Sequence, residues 1–295
     1  MYFLDLNLAI GFISKGYYSK SFDYTINRRM NIHRCFINFY LRTVPALKKR
    51  VQRPIRKVSN VFIYYRICDQ GYPKEKPSYI TKENCLRNAV KTFPLNEVHW
   101  QVYADNVCDE TYKMICKYIP ESQVKRVSVG HGAGTFRMVY EDAIKNSPED
   151  FIYFLEDDYL HLPNAYEALL SVANKNFADY MTLYDHPDKY DGSQYLNPFV
   201  VTGGEESVIY WCGKHHWKIT NSTTMTFGAF VDILRKDKKV FWRWTETKHP
   251  YDYQIFWDLR LFSRRRLVSV VPSLSTHGET ANLAVGVDWT KLAEF

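Results

Sequence analysis

The sequence predicts an α/β protein with a largely parallel, doubly wound central sheet. Two observations carry this. Short apolar segments alternate with amphipathic ones from residue 61 onward, which is the pattern of strands joined by crossover helices. Several of the apolar runs also end abruptly in acidic or amide side chains, where a buried strand would leave the sheet.

In order, residues 61–66 (Val-Phe-Ile-Tyr-Tyr-Arg) read as the first strand, followed by a polar loop rich in Lys and Pro over 71–77. Residues 81–90 read as a helix capped by Thr81. A second strand spans 99–106 and ends in Asp105-Asn106; a helix over 109–118 and a third strand over 124–129 follow. Gly130, Gly132 and Gly134 open a helix over 138–146, and 151–155 is a fourth strand. Pro163 introduces a helix to about residue 174, with a strand over 180–184 behind it. Residues 185–224 read as an irregular, polar and aromatic excursion that would face a ligand, since long loops inside compact domains are usually functional or disordered. A strand over 224–230, a short helix to 237, a strong helix over 251–262 and a strand over 267–272 complete the pattern.

The net charge of +7 is unevenly spread. Residues 1–59 hold 12 Lys or Arg against two Asp, a balance of +10, which leaves 27 basic and 30 acidic residues, or −3, for 60–295. This places a domain boundary at 59/60. Apolar residues recur at three- and four-residue steps over 28–52, so an amphipathic helix is expected there, despite Pro45. With the basic run to residue 57 it would either contact an anionic membrane surface peripherally or pack on the body with a solvated face. No nucleic-acid-binding motif accompanies it, so nucleic acid is not an expected partner. No stretch approaches the ~18 apolar residues of a membrane span. Residues 1–13 lack a basic start and are interrupted by Asp5 and Asn7, so a signal peptide is not expected either. Six scattered cysteines form no Cys-x-x-Cys pair, which argues against a zinc site and favours a reducing, cytoplasmic setting.

The most informative stretch is Phe151-Ile152-Tyr153-Phe154-Leu155-Glu156-Asp157-Asp158-Tyr159. Three adjacent carboxylates at a strand end repel one another, and packing offers no reason for them. A divalent cation carrying a diphosphate would turn that repulsion into coordination. In open α/β sheets the same edge is where ligands bind.

Strand, helix, a strand ending in Asp105, a glycine turn with Arg137, then a strand ending in Glu156-Asp157-Asp158: this order resembles the GT-A glycosyltransferases, whose Asp-x-Asp signature the triplet varies. The resemblance covers roughly residues 60–280 in architecture, while only the acidic motif is close in sequence. It implies a GT-A-like, Rossmann-like fold and a divalent manganese or magnesium ion. It also implies a nucleotide-sugar donor, with uridine diphosphate the family's commonest carrier, and a glycan or glycolipid hydroxyl as acceptor. Carried over by position, Asp158 would bind the metal and Glu156 and Asp157 the donor. Asp105 would meet the nucleobase or ribose, or else merely form an Asx-turn. Arg137 and Arg66 would meet the diphosphate or nucleotide. His277, after the last strand, would return to the metal.

An inverting transfer needs a base for the acceptor hydroxyl. Asp252, at a helix start after Pro250, fits the family's position, and Asp258 is the rival. The Glu that usually precedes the base is absent before both, which leaves inversion against retention open. His215-His216-Trp217 would shape the acceptor site, and Trp211, Trp217, Trp242 and Trp244 are candidates for stacking on sugar faces or for the core.

Two other classes remain open on sequence. A sugar-1-phosphate nucleotidyltransferase would want a Gly-rich basic loop directly after the first strand, which 66–71 does not supply convincingly. A non-catalytic module could act through residues 28–57.

Overall fold

The computed structural model describes residues 53–71, 73–190, 200–201, 204–205 and 207–293. The helix expected over 28–52 lies outside them. The chain divides into two compact units, Met1–Val51 and Gln52–Phe295, and all that follows concerns the second. Within it, part of the basic run is already committed to the body. Arg53 makes a two-pronged pair with Asp179 at 3.0 Å. Arg56 reaches Glu149 and Asp232, both at 2.7 Å, and its guanidinium lies 3.7 Å over the Phe230 ring. Both arginines are thus paired with acidic groups of the body. Among the described residues no helix is long and apolar enough to cross a membrane.

The elements follow the alternation the sequence predicts. They are β1 (Val61–Cys68), α1 (Lys82–Thr92), β2 (His99–Asp105), α2 (Asp109–Cys116), β3 (Val124–Val127), α3 (Gly132–Ala143) and β4 (Phe151–Glu156). Next come β5 (Tyr159–His161), α4 (Ala165–Lys175), β6 (Tyr180–Thr182), β7 (Val200–Val201), β8 (Gly204–Glu205), β9 (Ile209–Cys212), β10 (His215–Thr220) and β11 (Phe227–Phe230). The chain ends with α5 (Val231–Arg243), α6 (Asp252–Leu261), β12 (Leu267–Val271), β13 (Ser275–His277) and α7 (Thr290–Ala293). Thr81 caps α1 as expected, its hydroxyl accepting the Asn84 N–H at 3.1 Å.

The main sheet has nine strands in the order β3-β2-β1-β4-β11-β6-β12-β10-β9. β11 and β10 run against the other seven, so the sheet is mixed but mostly parallel. Strand pleating sends alternate residues to opposite faces. Ile63, Tyr65 and Ile67 of β1 pack in one core with α1, α2 and α4, while Tyr64 packs in a second core with α3, α5 and α6. The result is a sheet sandwiched between two helical layers.

One topological fact positions the site. From β1 the chain steps outward to β2 and β3, then returns to lay β4 on the other side of β1. The strand order reverses between β1 and β4, where the two following connections part and leave a crevice at the carboxyl ends. Arg66 and Glu156 are register partners at that point.

The region 185–224 differs from the irregular excursion the sequence predicts. β9 and β10 form an antiparallel hairpin that extends the sheet edge, pairing Cys212 with His215. Its two-residue turn is possible because Gly213 takes φ +60°, the left-handed region a tight hairpin demands. Residues 191–199 lie outside the description. The helix after β11 also runs six residues past the expected end at 237, to Arg243. A second small sheet was not foreseen: β13 pairs antiparallel with β5, setting His277 opposite Tyr159.

Candidate functional site at the β1/β4 crevice

β4 is buried along its length until Glu156, and the carboxylates emerge where the strand ends. Each has a different environment. Glu156 Oε1 lies 3.0 Å from Arg66 Nη2. Asp157 Oδ2 accepts the Cys68 N–H at 3.2 Å, which ties it back to the end of β1. Burial, and next the charge of Asp158, push its carboxyl up to about 6. Asp158 is almost wholly buried, yet its carboxyl stays far below the usual range. Burial alone would raise it; His277, Lys74 and Lys76 outweigh that. Their nitrogens lie 3.3, 3.4 and 3.0 Å from Asp158 Oδ2. Two adjacent carboxylates are thus driven apart in proton affinity, the pattern of a site that divides roles between acids.

The short β5–β13 pairing brings His277 there. The Gly278 N–H donates to the Asp158 carbonyl at 2.7 Å, and a Cβ at 278 would stand 2.7 Å from that same oxygen. Only glycine allows the two strands this approach. His277 Nδ1 is buried without a hydrogen bond, 3.9 Å from Glu279 Oε2.

Among the described residues no three His, Cys, Asp or Glu side chains converge as a metal centre. A magnesium or manganese ion that shares its shell with a diphosphate and water needs only one or two protein ligands, however. The Asp158–His277 separation of 3.3 Å is compatible with neighbouring positions in such a shell, which lie roughly 3 Å apart at metal–ligand distances of about 2.1 Å. The donor set fits a divalent cation at Asp158 with His277 beside it.

Arg66 faces the same crevice. It is 7% exposed, its Nη1 donates to the Gly132 carbonyl at 3.2 Å, and its guanidinium stands 5.3 Å over Phe136. Its Nε and Nη2 have no aligned hydrogen-bond acceptor, even though Nη2 is close to Glu156. A buried donor left unsatisfied is costly, so this geometry suits a ligand more than it suits the fold. Beside Asp157 a cleft of about 500 Å³ opens between α1 and α2, lined by Lys76, Ile80, Thr81, Lys82, Glu110 and Met114 among others. That volume falls within the usual range for small-molecule sites.

Asp252 opens α6. Its Oδ1 accepts the Tyr253 N–H at 2.7 Å, and its carboxyl is pushed up to about 6, first by burial and then by the charge of Glu156. The rival Asp258 is spent elsewhere: it is buried and accepts from Trp244 Nε1 at 2.8 Å and Arg243 Nη1 at 3.2 Å. Of the two, Asp252 is the one coupled to the acidic strand end.

Two side chains expected to contact the donor have partners within the protein. Asp105 is buried, with both carboxylate oxygens committed to the loop before α3: Val129 N at 2.7 Å, Gly130 N at 3.1 Å and Thr135 Oγ1 at 2.5 Å. These donors lie 24 to 30 residues along the chain, so Asp105 does not form the local Asx-turn considered above but ties down the loop before α3, where Gly130 takes φ +78°. Arg137 points away from the crevice. Its Nε reaches Thr245 Oγ1 at 2.9 Å and its Nη2 reaches the Trp242 carbonyl at 2.5 Å, so it caps the C-terminal end of α5. The aromatic candidates divide likewise. Trp217 is fully buried in the sheet, Trp244 holds Asp258, and Trp242 lies under Arg137 and Lys238. Trp211 is 76% exposed on the edge strand, with His215 and His216 across the hairpin.

Sequence reasoning missed Lys74 and Lys76. They read as part of a polar loop, and nothing in their spacing signals that both ammonium groups turn inward onto Asp158.

No family model matches the chain, and no curated protein matches it. Among solved structures, S. aureus TarS 1-349 aligns over 76% of this chain and 59% of that one, at 15% identity and TM-score 0.43. GalNAc-T7, solved with UDP, GalNAc and Mn2+, aligns over 80% and 48% respectively, at 10% identity and TM-score 0.48. The chain spans about half to three-fifths of the length of these neighbours. At that similarity neither assigns a residue or an activity to it.

Proposed function

We propose that the protein is a divalent-cation-assisted glycosyltransferase, moving a sugar from a nucleotide-diphosphate donor, a uridine one by family resemblance, to a hydroxyl of a glycan or glycolipid. The observation that carries this reading is the convergence at the β1/β4 switch point. An ionised buried Asp158 sits beside His277, an under-bonded Arg66 faces the same edge, and Asp252, with its raised proton affinity, is coupled to Glu156.

Asp158 and His277 would hold the manganese or magnesium ion, which would neutralise negative charge building on the diphosphate as it departs. Arg66 has two donors to offer the same phosphates, and its planar fork suits them. The cleft beside Asp157 takes the nucleoside. The acceptor hydroxyl oxygen bonds to the anomeric carbon while the bond from that carbon to the diphosphate oxygen breaks, its electron pair leaving with the phosphate. The hydroxyl proton passes to the Asp252 carboxylate. With its carboxyl near 6, Asp252 is mostly ionised at neutral pH and holds a proton more firmly than an ordinary aspartate, as a general base should.

A thermal-shift screen of nucleotide-sugars, with and without manganese, tests the reading. A donor at about 100 times its Kd stabilises by ~2.7 kcal/mol, which is roughly 5–10 °C for a domain this size. We expect one uridine donor to stand out, with the shift enlarged by manganese, and Asp158→Ala to lose the manganese-dependent part. No stabilising nucleotide-sugar under either condition, or an undiminished manganese effect in Asp158→Ala, would refute it.

A nucleotidyl transfer to a sugar-1-phosphate gains some support from Lys74 and Lys76, basic groups in the loop after β1 that do reach the site. Stabilisation by nucleoside triphosphates in preference to nucleotide-sugars would favour that reading.

A further inference from the structure

The loop after β1 carries two lysines that the proposed chemistry leaves without a task. Lys74 Nζ lies 3.4 Å from Asp158 Oδ2 and 3.1 Å from His277 Nε2, while Lys76 Nζ lies 3.0 Å from the same carboxylate oxygen. Lys74 therefore bridges the two side chains that would hold a cation, and Lys76 shares the same carboxylate oxygen. Residues two apart in an extended segment point the same way, and the Glu75 carbonyl between them accepts the Thr280 N–H at 2.9 Å and hydroxyl at 3.1 Å. That tether pins the loop to the segment following His277 and aims both ammonium groups inward. Each lysine side chain remains about a third exposed, so each keeps room to swing.

Two carboxylates of the crevice are paired without any ligand: Glu156 with Arg66, and Asp158 with Lys74 and Lys76. A divalent cation entering alone would meet two ammonium groups already on its carboxylate and leave the site strongly positive. A diphosphate entering alone would find those ammonium groups held by Asp158. Entering together, each frees the partner that the other needs.

We infer that Lys74 and Lys76 are exchangeable counter-ions. They neutralise Asp158 in the ligand-free protein and transfer to the diphosphate oxygens when a divalent cation takes their place, so cation and nucleotide bind as a coupled pair. The inference rests on the donor reading above and adds to it a positive coupling between the two ligands, which must be reciprocal. Lysine suits the exchange, being a compact charge on a flexible stem rather than a fixed fork.

The test compares the wild-type full chain with a Lys74→Ala/Lys76→Ala double variant, titrated by calorimetry with manganese alone and with UDP at saturating manganese. Removing the lysines moves the two affinities in opposite directions. Manganese alone binds about tenfold tighter or more, because its competitors are gone, and UDP binds roughly 10- to 100-fold weaker, as expected when charge-assisted bonds are lost. A Lys74→Arg/Lys76→Arg variant keeps the charge and retains most UDP affinity, which separates lost contacts from a collapsed loop. Unchanged or weaker manganese binding in the alanine variant overturns the exchange, as does unchanged UDP binding. If the wild type binds neither UDP nor another nucleoside diphosphate, the donor reading falls and the exchange with it. If the wild type binds UDP and only the variant comparison fails, the exchange falls alone.

Discussion

Gly278→Ala perturbs the contact that assembles the cation site. The φ of Gly278 lies outside the left-handed region, so alanine strains no backbone preference and the whole effect is steric. The new Cβ would stand 2.4 Å from Ile80 Cγ2 and 2.7 Å from the Asp158 carbonyl oxygen. Ile80 can turn its methyl aside. The carbonyl cannot, because it belongs to the backbone and already accepts the Gly278 N–H at 2.7 Å. One strand of the β5–β13 pair must shift by several tenths of an ångström. Overpacking of this kind costs about 1–3 kcal/mol, and stretching the hydrogen bond adds up to ~1 kcal/mol. A melting point roughly 2–15 °C lower follows for a unit of this size. The same shift carries His277 off Asp158, so manganese affinity falls with stability. Differential scanning fluorimetry and a manganese titration measure both. A Gly278→Ala protein melting within about 2 °C of wild type, with unaltered manganese affinity, would show that the close approach does not hold the site together.

Two further outcomes follow from the acids and the arginine. Asp252→Asn should lower kcat/KM about 10²- to 10⁴-fold, the usual worth of a positioned base. In the wild type, log kcat/KM should fall as pH drops through about 6, because the raised Asp252 carboxyl takes up its proton there. Glu156→Gln removes a charge that raises it, so the limb should move to lower pH; a profile flat down to pH ~5 would rule out Asp252 as the base. Arg66→Met should weaken nucleotide binding about 10- to 100-fold while lowering the melting point only slightly. Loss of the Glu156 pair and the Gly132 bond is offset by removal of the buried, unpartnered Nε, and the stem's packing on Phe136 is kept. Equal losses of stability and binding would show Arg66 to be a structural residue.

Much of the fold was legible because its signals are local. The apolar runs at β1, β2 and β4 and the Thr81 cap each announce an element within a few residues. The acidic triplet announced a site for the same reason, since three like charges at a strand end have no packing rationale. The hairpin β9–β10 was missed although Gly213 lay in view, because one glycine among polar and aromatic residues does not fix a turn. β5 and β13 are three residues each and stable only against one another. Their pairing spans more than a hundred residues of chain, and no periodicity reports it.

Asp105 and Arg137 are both engaged within the protein, and the reason bears on how such sites should be read. Asp105 ends β2 on the carboxyl side of the sheet, as Arg66 and Asp158 stand at the ends of β1 and β4, while Arg137 follows in the next helix but one. What separates them is the order of strands in space. β1 and β4 flank the reversal point, where the connections part and the polar groups at the strand ends bind one another and the Lys74–Lys76 loop. β2 lies beyond β1, and the turn from β3 into α3 folds over its end and takes up both oxygens of Asp105. Arg137 lies inside α3 and faces the neighbouring α5 instead. Residue type and proximity to a strand end were visible in the sequence; where the connections part was decided by topology. A test of this distinction needs no substrate. Asp105→Asn should destabilise the fold by about 1–3 kcal/mol, as for a buried acceptor partly lost, and leave nucleotide binding intact, whereas Asp157→Asn should do the reverse.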